Sequence, residues 1–362
     1  MPETKSSPVG ERTTAVLPSK AYAAHSPKSA LTPWNFNRRP VGKYDILIQI
    51  QYCGVCHTDI HFVNNDLGFS IFPLVPGHEI VGVITAVGDG VKKFKEGNTV
   101  GVGCLVESCR VCDNCVEGEE QYCLNGAVYT YSGTEKETGN VTYGGYSNQV
   151  VVNEDFVLRV SEKLPLDKVA PLLCAGITTY SPLRRWKIGK GDRVGIVGLG
   201  GLGHMAIKFA NAFGAEVTVL STSASKKDDA LSLGAHKFII TKEEESVKTV
   251  AGYFDFILDT VAVAHDLNMY INMLRTHGTL CCLGIDADVS EIAMVPIVFT
   301  GKTVAGSLIG GIAETQEMLD FCANHNITSD IELIDMQYIN QAYERMLRSD
   351  VKYRFVIDMA TL

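Results

Sequence analysis

Cys109, Cys112, Cys115 and Cys123 follow the spacing C-x2-C-x2-C-x7-C. Four thiolates this close can surround one ion tetrahedrally at about 2.3 Å, so the spacing predicts a closed structural zinc site. An iron–sulfur cluster also takes four cysteines, though ferredoxin spacings differ, and free thiols are the plain alternative. Four thiolates around a dication leave a net charge of about −2 and no open position, so this lobe would serve structure rather than substrate. Cys104 lies just outside the pattern and reads as a small buried hydrophobe.

A second set of ligand types is dispersed. Cys56 stands in Cys53-Gly54-Val55-Cys56-His57-Thr58-Asp59-Ile60-His61, His78 and Glu79 in Pro76-Gly77-His78-Glu79, and Cys174 in Leu172-Leu173-Cys174-Ala175-Gly176. Two thiolates and one imidazole would leave a fourth zinc position for water or an alcohol, the Cys2His type of catalytic site. Each residue alone is more often core or surface than ligand; their association carries the expectation. Zinc lowers the pKa of bound water from about 15.7 to about 7, and an alcohol should respond similarly. Thr58 could take the alcohol's proton and His61 pass it to solvent, the alternative being a helix-capping Thr beside a surface His. Asp59 is placed to orient a metal-ligand histidine.

Gly198-Leu199-Gly200-Gly201-Leu202-Gly203 follows an apolar strand and opens a helix. In that context G-x-G-x-x-G predicts a dinucleotide pyrophosphate on a helix N-terminus. At the end of the next strand, NAD-binding versions place Asp or Glu on the ribose hydroxyls. Here Ser221-Thr222-Ser223-Ala224-Ser225-Lys226-Lys227 offers hydroxyls and ammonium groups, with no acid before Asp228. A 2′-phosphate would be repelled by a carboxylate and bound by these groups, so NADP(H) is expected, against a merely solvated Ser/Lys helix start.

These residues must be held by about two domains, given 362 residues. Ile46, Ile48 and Ile50 alternate with Leu47, Gln49 and Gln51 as in a half-buried strand, and Ile80 to Val87 is a further strand. After about residue 170 the pattern alternates. Strands are expected at Arg193 to Val197, Val217 to Leu220, Phe256 to Leu258, Thr279 to Leu283 and Val304 to Leu308. Helices are expected from Leu202 to near Gly214 and from Lys226 to Leu233, giving a parallel sheet with crossover helices. From about Ile312 two amphipathic helices are expected. The class is therefore α/β, with a β-rich lobe and a doubly wound parallel-sheet domain. The first 18 residues read as a flexible tail.

The 46% hydrophobic and 20% charged composition is that of a soluble globular protein. A net charge of −9 disfavours nucleic acid or an anionic membrane as partner. No run approaches the roughly 18 apolar residues of a membrane span. Eleven cysteines, five of them between Cys104 and Cys123, argue for metal binding in a reducing compartment, by default the cytoplasm.

Together CGVCHTDIH, NDLG, VPGHEIVG, GGYS, PLLCAGITTYSPL, GIVGLGGLGH and YRFV resemble the zinc-dependent medium-chain alcohol dehydrogenases, most closely their cinnamyl alcohol dehydrogenase branch. The resemblance covers nearly all of the chain after about residue 20. It implies a GroES-like catalytic domain (19–173 and 312–362) around a Rossmann domain (174–311), assembled as a homodimer. It implies catalytic zinc on Cys56, His78 and Cys174 with Glu79 beside it, and structural zinc on Cys109, Cys112, Cys115 and Cys123. Thr58 and His61 would form the relay and His57 would approach the cofactor phosphates. Ser221, Thr222 and Lys226 would contact the 2′-phosphate and Ser307 would lie near the nicotinamide. Phe69, Tyr129 and Leu308 align with cleft-lining positions. Leu308 and Tyr129 replace aromatics usual in plant lignin enzymes, which implies a broad preference for apolar, aromatic or terpenoid aldehydes. Rival readings are a polyol dehydrogenase, an NADPH-dependent conjugate (1,4-) reductase and a non-catalytic NADPH-binding protein. The first usually lacks the third cysteine ligand and the four-cysteine lobe. The others follow loss of zinc-site or relay residues, and no such loss is visible.

Overall fold

The computed structural model describes residues 16–284 and 289–362. Its second half is built on six strands. In spatial order they are Lys237–Ile240, Glu216–Ser221, Arg193–Val197, Phe254–Asp259, Leu274–Cys282 and Thr303–Gly306. Counted along the chain this is order 3-2-1-4-5-6, and every pairing is parallel. That is the doubly wound nucleotide-binding arrangement, and it follows from the alternation of short apolar strands with helices. The strand order reverses between Arg193–Val197 and Phe254–Asp259, which opens a crevice beyond their carboxyl ends.

The first half forms a mostly antiparallel seven-stranded sheet centred on Asp45–Val55, whose alternate residues Ile46, Ile48 and Ile50 are buried. Register shifts near Ile48 and Tyr52 let this long strand bend and pair with Ile80–Val87, Gln149–Asn153 and Arg354–Asp358 in turn. The C-terminal strands Ile331–Asp335 and Arg354–Asp358 thus belong to the sheet begun near residue 45. The expectation of two helices after Ile312 holds for Ile312–His325 and Ile339–Leu347, but it passed over these two strands.

Other expected elements shift at their ends. Strand Thr303–Gly306 stops two residues early: the Ser307 N–H still donates to the Cys282 carbonyl at 3.3 Å, and the Leu308 N–H turns away to the Tyr122 hydroxyl. Lys226 closes a short 3-10 turn, and the helix proper is Lys227–Ser232. A strand, Leu17–Ala23, begins inside the segment expected as a tail, because it pairs along its whole length with Thr32–Arg38. The rest of that expected tail, 1–15, lies outside the described residues. Among the described residues no helix is long and apolar enough to cross a membrane.

Candidate active site

Cys56 follows the bent strand directly and caps the helix His57–Asn64, its backbone N–H donating to Asp59 Oδ2 at 2.9 Å. Asp59, fully buried, also accepts from the Gly77 N–H at 3.2 Å and the Tyr146 hydroxyl at 3.0 Å. One carboxylate thereby fixes the Cys56 turn against the Gly77-His78-Glu79 turn. Gly54 is required between them, since a Cβ there would stand 1.9 Å from Glu79 Oε2. Cys174 reaches the same point from the start of helix Ala175–Arg185.

The ligand atoms of Cys56, His78, Glu79 and Cys174 all lie within 4.8 Å of one another. Cys56 Sγ and Cys174 Sγ are 3.8 Å apart. Two sulfurs each about 2.3 Å from an ion at the tetrahedral angle would stand about 3.8 Å apart, so the geometry fits zinc. His78 Nε2 is buried with no hydrogen-bond partner, an orphan that a metal ion would satisfy. The hydrogen bond from Cys174, with help from Arg354 and His78, holds the Cys56 thiol well below its ordinary pKa. Glu79 Oε1 lies 4.0 Å from His78 Nε2 and is paired with the buried guanidinium of Arg354. Burial nevertheless pushes the Glu79 carboxyl up, against the pull of Arg354.

Asp59, expected to orient His78, is not alone beside that ring. Its Oδ1 is 3.6 Å from His78 Nδ1, whereas the Tyr131 hydroxyl is 3.3 Å away and the Tyr131 ring stacks on the imidazole at 5.5 Å. Sequence reading passed over Tyr131, whose only signal was its place two residues after Tyr129. It also took Cys104 for a core residue. Cys104 does pack, half-buried, against the core, its Sγ donating to the Leu173 carbonyl at 4.0 Å, but it also lines the cavity beside Cys174, whose nearness holds its pKa down.

The second cysteine set is equally compact. Cys109 Sγ and Cys115 Sγ are 3.9 Å apart, and backbone N–H groups of Cys109, Cys112 and Leu124 donate to cysteine sulfurs at 3.4 Å. Such N–H bonds, with that of Val111 foremost, pull the Cys109 thiol down to about 5. Thiolates held this way fit a structural zinc.

One cavity of about 890 Å³ joins the regions. Its floor carries Cys56, His78 and Cys174, with Thr58, His57 and His61 beside them. Thr58 Oγ1 lies 3.5 Å from Cys56 Sγ. His61 is held by Asp66 at 2.9 Å through Nδ1, leaving Nε2 without a partner. No hydrogen bond joins Thr58 to His61 among the described residues, so a relay between them needs an intervening group.

The opposite wall is the glycine turn. Gly198 takes φ +86°, and a Cβ on Gly203 would meet the Gly198 carbonyl oxygen at 2.2 Å, so the turn closes only without side chains. Gly198, Gly200, Gly201 and Leu202 line the cavity, while Gly203 opens the helix Gly203–Ala212 behind them. Lys226 lines it too, its Nζ donating to the Leu199 carbonyl at 2.9 Å. Ser221, Thr222 and Ser223 are not among the residues lining the cavity; the Ser223 N–H donates to Ser221 Oγ at 3.2 Å, and Ser225 with Lys226 lines it in their place. Ser307 and Leu308 line the far side, where the Leu308 N–H donates to the Tyr122 hydroxyl at 2.9 Å. Phe69, 56% exposed, and Tyr129, 37% exposed, stand at the outer rim.

The descriptions of two family models match this chain: the alcohol dehydrogenase GroES-like domain over residues 42–162, and the zinc-binding dehydrogenase over residues 201–324. The 8-hydroxygeraniol dehydrogenase of Catharanthus roseus is 52% identical over 95% of this chain and 96% of its own length. A cinnamyl alcohol dehydrogenase structure from Sorghum bicolor superposes with a TM-score of 0.93 at 46% identity, covering 95% of this chain and 98% of that one. CAD from Helicobacter pylori, solved with NADP(H), gives 0.90 at 44% identity over 96% and 99%. With both halves matched, and with likeness of this degree running nearly end to end, the chain belongs to the zinc-dependent medium-chain alcohol dehydrogenases, in their cinnamyl alcohol dehydrogenase branch.

Proposed function

We propose that the protein interconverts primary alcohols and aldehydes with NADP(H), on apolar, aromatic or terpenoid substrates, with aldehyde reduction as the working direction. The observation that carries this reading is the buried thiolate–imidazole cluster at the floor of a cavity whose other wall is the glycine turn. Bound there, zinc would supply a Lewis acid to the substrate oxygen, and NADP(H) the hydride-carrying ring.

The chain's own residues do the rest. Cys56, His78 and Cys174 hold the metal, Glu79 stands beside it, and Asp59 with Tyr131 fixes the His78 ring. Thr58 gives or takes the proton at the substrate oxygen, and His61, braced by Asp66, exchanges it with solvent. His57, Gly198 to Gly203, Ser221, Thr222, Ser223, Lys226 and Ser307 bind the dinucleotide, while Phe69, Tyr129 and Leu308 border the substrate. Cys109, Cys112, Cys115 and Cys123 carry a second, structural zinc. The catalytic domain comprises 19–173 and 312–362, the nucleotide-binding domain 174–311, and the protein works in the cytoplasm as a homodimer. The homodimer is supported by helix Met294–Thr300, whose Met294, Val295, Val298 and Phe299 are all exposed beside the edge strand Thr303–Gly306.

A panel of aliphatic, terpenoid and cinnamyl aldehydes with NADPH and with NADH tests the proposal. Oxidation of NADPH by several of the aldehydes, abolished by chelation, is expected. Inertness towards every aldehyde would sink the reaction, and a strong NADH preference would sink the cofactor assignment.

A further inference from the structure

Where the cavity passes helix Lys227–Ser232, its charged lining consists of Lys226, Asp229 and Lys352. Asp229 is one turn after Lys226 and close enough to act on it electrostatically. A carboxylate here is at odds with the phosphate-binding chemistry of Ser221 to Lys226. Left bare, it would repel a 2′-phosphate and could accept a hydrogen bond from a 2′-hydroxyl. It is not bare. Lys352, from the link between helix Ile339–Leu347 and strand Arg354–Asp358, crosses from the other sheet and places Nζ 2.9 Å from Asp229 Oδ1 and 2.7 Å from Oδ2. Among these three there are two cations to one anion, and without Lys352 there would be one of each; Arg354, which also lines the cavity, is already paired with Glu79.

We infer that Lys352 is a specificity residue for NADP(H): it masks Asp229 across the cleft, so that the adenosine 2′-phosphate meets a net positive wall. This rests on the NADP(H) reading above and adds a residue from the opposite lobe. Lys352 is well exposed, and as a salt bridge alone it would contribute little to stability. Its effect would lie in the field at a bound anion, and that field is screened by salt.

The test is equilibrium binding of NADPH and NADH, followed by calorimetry or nucleotide fluorescence on the zinc-loaded protein in dilute buffer. Lys352→Gln should weaken NADPH by about tenfold and leave NADH within about twofold, a gap that shrinks in about 0.5 M salt. Adding Asp229→Asn should restore most of the lost NADPH affinity, and Lys352→Arg should retain it. Equal weakening of both nucleotides would make Lys352 a mere latch between lobes and overturn the inference. So would a double variant as weak as Lys352→Gln alone. A wild-type protein that bound NADH as tightly as NADPH would overturn the cofactor reading itself, and the inference with it.

Discussion

His204, the residue that follows the glycine turn, shows how one side chain's protonation is fixed by its partners. Its Nδ1 faces the Gly200 carbonyl at 3.3 Å, so that nitrogen carries the proton. Its Nε2 accepts from the Ser329 hydroxyl at 3.1 Å and from the Asp330 N–H at 3.4 Å. The ring is fully buried and stacks on Tyr353 at 5.0 Å. Burial, with Lys208 and Arg354 adding positive charge nearby, drives its pKa down to about 3. A second proton would turn Nε2 into a donor facing a donor. The unfolded chain takes that proton near pH 6.5, so this group's support for the fold is full above about 6.5 and is lost as pH falls towards about 3. The loss is of order 1.4 kcal/mol per pH unit at most. Denaturant titrations from pH 7 to pH 4 should therefore show a steeper decline for wild type than for His204→Gln. Parallel declines would mean that the ring is not held neutral.

At the scale of elements, the exposed helix Met294–Thr300 carries the sharpest prediction. Phe299 is 85% exposed and Val298 69%, on a helix beside the outermost strand of the parallel sheet. An end strand with an exposed apolar helix leading into it invites pairing with a second copy. Phe299→Asp with Val298→Asp should shift the mass measured by light scattering from dimer to monomer, leaving NADPH affinity unchanged. A wild-type monomer, or a double variant that stays dimeric, would exclude this face. Elements of this half were the most legible in the sequence, because strands such as Arg193–Val197 are short apolar runs set off by Gly and followed by a 3.6-residue period. The C-terminal strands Ile331–Asp335 and Arg354–Asp358 were missed, since neither alternates clearly: the first pairs only with the second, and the second finds its other partner some 300 residues away in Asp45–Val55. The two residue groups that could hold a metal ion were legible because thiols and imidazoles at fixed spacing are rare chemistry, and the fold does bring each group together. Tyr131 and Cys104 were not, since an aromatic and a lone thiol are ordinary core residues until the fold sets them against His78 and Cys174.

Taken whole, the molecule joins its two sites through one buried guanidinium. Arg354 begins the strand that closes the first sheet onto Asp45–Val55, bonds Glu79 beside the thiolate cluster, and lies under the glycine turn, where a Cβ on Gly201 would be 2.8 Å from its Cδ. Arg354 is 5% exposed and Glu79 not at all, so neither charge can fall back on water. Breaking such a pair from one side typically costs about 3–5 kcal/mol, while removing both charges costs much less, because no lone buried charge remains. Arg354→Met alone should therefore lower the unfolding midpoint more than the double variant Arg354→Met with Glu79→Gln. Its effect should also reach both lobes, weakening NADPH binding at the turn and zinc retention at the cluster. Single and double variants of equal stability, or a single variant that disturbs only one of the two sites, would show that the metal and nucleotide sites are built independently.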